Sequence, residues 1–135
     1  MYFYLDSNPS KNPEIAFSYS PILERLSLYQ TNLESLPLGR INSRMTKLII
    51  SDNPINFTPD FPRYFPKLEY LDVSHTNLYS TESFLPLCSL KSLKYLSLDD
   101  CKMKNLPPEI VELENLERFH SSKTTYLLFH MSFIP

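Results

Sequence analysis

The side chains able to carry chemistry are few and scattered. Three histidines (His75, His120, His130) and two cysteines (Cys88, Cys101) are the whole stock of imidazole and thiol. Cys101 stands in the run Asp99-Asp100-Cys101-Lys102. Flanking carboxylates hold the proton on a thiol, which opposes its use as a nucleophile. A zinc site needs three or four ligands, each about 2 Å from one point, and no His/Cys cluster has that spacing. With one glycine in the chain, a Gly-rich phosphate loop is excluded, because such loops need several residues without a Cβ. No serine elbow is present. No catalytic residue, metal or cofactor is therefore expected.

Composition narrows the classes further. The chain has 135 residues, room for one domain with a real core, and a net charge of −2 from 13 basic and 15 acidic residues. The basic residues Arg40, Arg44, Lys47, Arg63, Lys67, Lys91, Lys94, Lys102 and Lys104 form no continuous stripe. Phosphate affinity grows with the number of charges neutralised, so nucleic acid is not an expected partner. No apolar run reaches membrane-spanning length, so no membrane partner is expected. Met1 to Asp6 has neither a basic start nor a long apolar stretch, unlike a signal peptide. Two cysteines allow at most one bridge, fewer than a small secreted domain usually carries. These features point to a reducing, cytoplasmic setting; export of an effector by a non-standard route stays open. Asn56-Phe57-Thr58 is a glycosylation sequon, an expected chance match in that setting.

The elements that must position any functional side chain come from internal repetition. The pattern L-x-x-L-x-L-x-x-N-x-L, with Asn, Thr or Cys at the ninth place, fits Leu23, Leu26, Leu28, Thr31 and Leu33. It fits Met45, Leu48, Ile50, Asn53 and Ile55, then Leu68, Leu71, Val73, Thr76 and Leu78. Leu93, Leu96, Leu98, Cys101 and Met103 follow, and Leu116, Phe119, Ser121, Thr124 and Tyr126 come last. Ser121 is the one apolar slot not filled by an apolar residue. Phe3, Leu5 and Asn8 begin a partial copy in the same register.

This repetition closely resembles the leucine-rich repeat family, over nearly the whole chain. Leu36-Pro37 and Leu106-Pro107-Pro108-Glu109-Ile110 are similar to the usual second half of such repeats, and Leu93 to Thr124 resembles repeats of plant-type intracellular immune receptors. The resemblance implies an α/β-type solenoid: a curved horseshoe segment with a parallel β-sheet on the concave face and an irregular or short-helical convex side. One domain over 1–135 is expected, with a partial repeat at 1–22 and repeats at 23–44, 45–67, 68–92, 93–115 and 116–135. The alternation within L-x-L is that of a strand with one buried face. The ninth-place residues Asn8, Thr31, Asn53, Thr76, Cys101 and Thr124 are expected to form a ladder that satisfies turn backbone. A helical turn fits around Ser83 to Leu90, and the proline-rich stretch from Ile55 to Phe65 should be irregular. No protective cap is recognisable at either end. The chain is a piece of a longer one, or its apolar tail folds over an end, or ends pair between molecules.

Within the repeats, the second, third, fifth, seventh and eighth places project from the strand face and need not be polar or aromatic for folding. Tyr29, Tyr70 and Tyr95, with Lys47 and Ile49 nearby, offer rigid contact area at low entropy cost. Asp52, Asp72, Asp99 and Asp100 would attract a basic segment, and His75 lies within reach of Asp99 or Asp100 across adjacent strands. His75 and His120, two repeats apart, are too far apart to share a zinc directly. The expected function is non-catalytic recognition of another protein through this face. The alternatives are a ligand-sensing or substrate-recognition segment of a larger signalling protein, immune-receptor-like or bacterial effector, and a structural element that self-assembles through its ends.

Overall fold

The computed structural model describes residues 1–6, 22–36, 39–78, 80–101, 103 and 106–121. The ladder positions Asn8 and Thr124 lie outside them. Six three-residue strands carry the architecture: β1 (Tyr2–Tyr4), β2 (Arg25–Ser27), β3 (Lys47–Ile49), β4 (Tyr70–Asp72), β5 (Tyr95–Ser97) and β6 (Arg118–His120). They form one open parallel sheet in sequence order. The register aligns Phe3, Leu26, Leu48, Leu71, Leu96 and Phe119 in one row. These are the fourth-place residues, and the four central ones are fully buried.

The other apolar slots are buried with them. Leu23, Met45, Leu68 and Leu93 close the core at the strand entry, and Leu28, Ile50, Val73 and Leu98 close it at the exit. Burying a Leu or Ile side chain contributes about 1.5–3 kcal/mol relative to exposure. The period of the sequence is thus the period of the core. The parallel ladder also runs past the strands, with Leu28 N–H on Ile49 O (2.8 Å), Ile50 N–H on Asp72 O (3.0 Å) and Leu98 N–H on His120 O (2.8 Å).

After each central strand the chain turns sharply. Gln30, Asp52, His75 and Asp100, all at the eighth place, have φ of 55–56°. Asn32 is also left-handed, at 58°. Glycine is the usual solution there, and Asn, Asp and His are the side chains most enriched among the exceptions. A chain with one glycine therefore spends its Asp and His at these corners. The eighth column has a conformational reason for its composition, contrary to the expectation that the strand-face positions need not be polar or aromatic for folding.

Behind the sheet, the return segments are short turns. The α-helical turn α1 (Thr81–Phe84) runs into a 3-10 turn at Leu85–Ser89, and further 3-10 turns occupy Phe61–Tyr64 and Pro108–Glu112. The first two fill the stretch where a helical turn was expected. The turn at Phe61–Tyr64 interrupts the stretch expected to be irregular. A proline in its first turn, Pro62, has a fixed φ suited to a helix start and needs no N–H partner there. Phe61, Phe65, Phe84, Leu87, Cys88 and Ile110 bury these turns against the sheet.

Candidate functional site

The ninth-place residues stitch one repeat to the last. Asn53 is 1% exposed. Its Oδ1 accepts from Thr31 N (3.0 Å) and Leu33 N (2.8 Å) of the preceding repeat. Its Nδ2 donates to Leu28 O (2.7 Å), Ile50 O and Ser51 O (both 3.1 Å). Cys101 makes the same backward reach, Sγ to Val73 O at 3.4 Å. The Thr31 and Thr76 hydroxyls donate within their own turns, to Leu28 O and Val73 O, and the Thr31 hydroxyl also reaches Asn53 Oδ1 of the next repeat at 3.3 Å.

On the exposed side of the sheet, the third-place residues stack across strands. The Tyr70 and Tyr95 rings lie parallel, centroids 4.1 Å apart and 5° from coplanar. Lys47 Nζ sits 4.4 Å above the Tyr70 ring, and Arg25 lies 4.7 Å from the Tyr2 ring. Each cation over a ring is worth about 0.5–1 kcal/mol at an exposed site. Burial, the neighbouring Tyr95 hydroxyl and Asp72 together push the Tyr70 hydroxyl up to about 12. Ile49 is half-buried on β3, in register with Ser27 and Asp72.

Beside this stack lies a hollow of about 330 Å³. Tyr29, Asp52, Asp72, His75, Tyr95 and Asp99 line it, together with Ser51, Ser74, Ser97 and His120. Asp100 joins through His75. His75 Nδ1 is 2.5 Å from Asp52 Oδ1, and its Nε2 is 2.7 Å from Asp100 Oδ2. Asp99 pairs with His120 at 2.8 Å. The carboxylate across from His75 is therefore Asp100, with Asp52 on the other side. The Asp52 carboxylate beside the Tyr29 hydroxyl raises that group above the ordinary tyrosine value. Lys47, Ile49 and Tyr70 stand outside the hollow, beside it.

The serines are the part that sequence reasoning left out. Ser51 and Ser97 are buried on the hollow's floor. Ser74 Oγ meets Ser97 Oγ at 2.8 Å and accepts from Asp99 N at 3.0 Å, while Ser74 N donates to Asp72 Oδ1. Asp6 repeats this motif one end over, accepting from Ser27 Oγ and Tyr29 N. A polar seventh-place side chain thus secures the next repeat. The signal was present as small polar residues at the fifth and seventh places.

No protein-family model matches the sequence. The chain is 32% identical over 97 residues to a probable disease resistance protein of Arabidopsis thaliana, covering 70% of this chain and 10% of that protein. It is 33% identical over 119 residues to lumican of Mus musculus, covering 84% of this chain and 34% of lumican. The chain thus spans about a tenth to a third of these relatives. Internalin C2 of Listeria monocytogenes shares the fold, with a TM-score of 0.66 at 21% identity over 90% of this chain and 54% of that one. The chain is a leucine-rich-repeat protein. Its motif, parallel sheet and relatives agree on that point.

Among the described residues of this leucine-rich-repeat protein, no group of three His, Cys, Asp or Glu side chains is placed to hold a metal ion. No helix among them is long and apolar enough to cross a membrane. Both cysteines are free and buried. Burial pushes the Cys88 thiol up to about 12, and burial likewise raises Cys101. A thiol at 12 is on the order of one part in ten thousand thiolate at pH 8. Both cysteines are expected to resist a thiol reagent at pH 8 in the folded protein and to react within minutes in denaturant. Rapid labelling of Cys101 in the folded state would contradict its place in the ladder.

Proposed function

We propose that this chain is a non-catalytic recognition module that binds another protein through the exposed sheet face. The observation that carries this reading is the preordered Tyr70–Tyr95 stack beside a carboxylate-lined hollow. Its aromatic contact area is already fixed by neighbours across the sheet, so binding costs little side-chain entropy. Tyrosine so placed is the kind of residue that dominates interfaces. Four carboxylates, Asp52, Asp72, Asp99 and Asp100, outnumber the two histidines paired with them and favour a partner with a basic segment, mainly through its rate of approach. Two buried free thiols fit a reducing, cytoplasmic location.

The test compares wild type with a Tyr70→Ala, Tyr95→Ala, Asp72→Asn variant in affinity capture from the native cell lysate. Asp72→Asn keeps the acceptor for Ser74 N while removing the charge. The variant is first checked for a retained cooperative melting transition. A partner found with wild type is expected to bind it at least about 30-fold more weakly, the loss of one or more hot spots. Equal capture by both proteins would move the interface to the outer wall or an end. Capture of the chain's own copies alone would favour self-assembly.

A second reading is favoured by the small share of the plant relative that the chain spans. In it, the same face is the recognition segment of a larger signalling protein, immune-receptor-like or effector. Flanking nucleotide-binding or ligase sequence in the native reading frame would establish it.

A further inference from the structure

The setting of His75 carries more than a contact surface. Its two ring nitrogens face two different carboxylates, Asp52 from the turn after β3 and Asp100 from the turn after β5. A neutral imidazole has one N–H and one lone pair. In the neutral form, one nitrogen would aim its lone pair at a carboxylate oxygen less than 3 Å away. The doubly protonated ring alone satisfies both contacts, as two charge-assisted hydrogen bonds. All three residues sit in left-handed corners of successive repeats, so the ring spans the rim of the hollow.

We propose that His75 is a proton-held clasp that makes the sheet face pH-sensitive: protonated, it fastens three successive turns together, and deprotonated, it releases one carboxylate and leaves the hollow one charge more negative. The proposal rests on the reading of this face as the recognition surface. A basic partner segment would then bind more tightly above the titration of His75, and an acidic one less tightly.

The other titratable groups around the hollow are known among the described residues. Asp72 comes from β4, Asp99 from the turn after β5, and Tyr29 from the turn after β2; His120 at the end of β6 is paired with Asp99. His120 is the other imidazole lining the hollow. The Asp52 hydrogen bond raises His75 above its ordinary value of 6.5 most strongly, slight burial opposes this, and Asp100 adds to it. The sign follows from linkage. A raised value in the folded state gives stability that is full below about pH 6.5 and is lost as pH rises through the folded value.

The experiment is a long-range ¹⁵N–¹H titration of the histidine rings in the free, full chain between pH 5 and 9. His75→Gln assigns the signals. Both His75 nitrogens are expected to show imidazolium shifts at pH 5, with a midpoint above 6.5. Asp52→Asn and Asp100→Asn, which both suit a left-handed corner, should each lower that midpoint, Asp52→Asn more. A wild-type midpoint at or below 6.5, or one that neither substitution moves, would overturn the clasp. The titration needs no partner, so it can fail while the capture experiment succeeds, and the reverse.

Discussion

Replacing Asn53 with alanine is expected to destabilise the protein by about 3–5 kcal/mol. The substitution strands the buried N–H groups of Thr31 and Leu33 and removes the donor from three carbonyls. Each buried backbone donor left unsatisfied costs about 1–3 kcal/mol. Set against a total stability of about 5–15 kcal/mol, this is a large part of the fold. For a chain of this size, the melting temperature should drop by roughly 10–20 °C. Asn53→Asp should be no better. It keeps an acceptor for the two N–H groups, yet it aims oxygen lone pairs at carbonyls that now receive donors. Asn53→Thr should lie between wild type and alanine. Thr76 shows what a hydroxyl does here, donating within its own turn to Val73 O. Chemical denaturation of the three variants checks the order. A loss below about 1 kcal/mol for Asn53→Ala would mean that water or a relaxed turn replaces the amide.

That prediction also locates what a sequence makes visible. The core slots are legible because burial at the first, fourth, sixth and eleventh places demands apolar side chains at a fixed spacing. Leu26, Leu48, Leu71 and Leu96 can occupy no other face without turning the sheet inside out. The strand-face residues obey no such demand, and their partnerships cannot be read from types alone. Asp52 looked like an open charge, whereas the fold commits it to His75; of the two carboxylates expected within reach of that ring, Asp99 and Asp100, it is Asp100 that pairs with it. The left-handed backbone of Asp52, His75 and Asp100 was equally hidden, since Asp and His are common on any surface. Ser51 and Ser97 looked like solvent-facing positions, yet they are buried.

The outer wall holds the second large effect, at a position the repeat pattern does not mark. Phe61→Ala is expected to cost about 3–5 kcal/mol, the usual range for deleting a buried aromatic ring. Phe61 is 1% exposed, meets Phe57 edge-on with centroids 5.1 Å apart, and tilts against Phe65 at 4.9 Å. Phe61 opens the 3-10 turn, and Pro62 behind it fixes the turn that delivers this ring to the core. Phe61→Leu keeps most of the volume and should cost much less, about 1–1.5 kcal/mol. The pair of substitutions separates packing from turn geometry, because both retain the backbone. The outcome also decides how the solenoid melts. In a repeat protein each unit is held by its neighbours, so a cavity behind β3 should weaken the contacts with β2 and β4 and lower the single melting transition by roughly 10–20 °C. If the outer wall were a local flap, Phe61→Ala would leave that transition in place and speed amide exchange only from Phe57 to Phe65. Hydrogen exchange and thermal melting of the same sample distinguish the two. The full burial of Phe61 within the contiguous core predicts the cooperative loss.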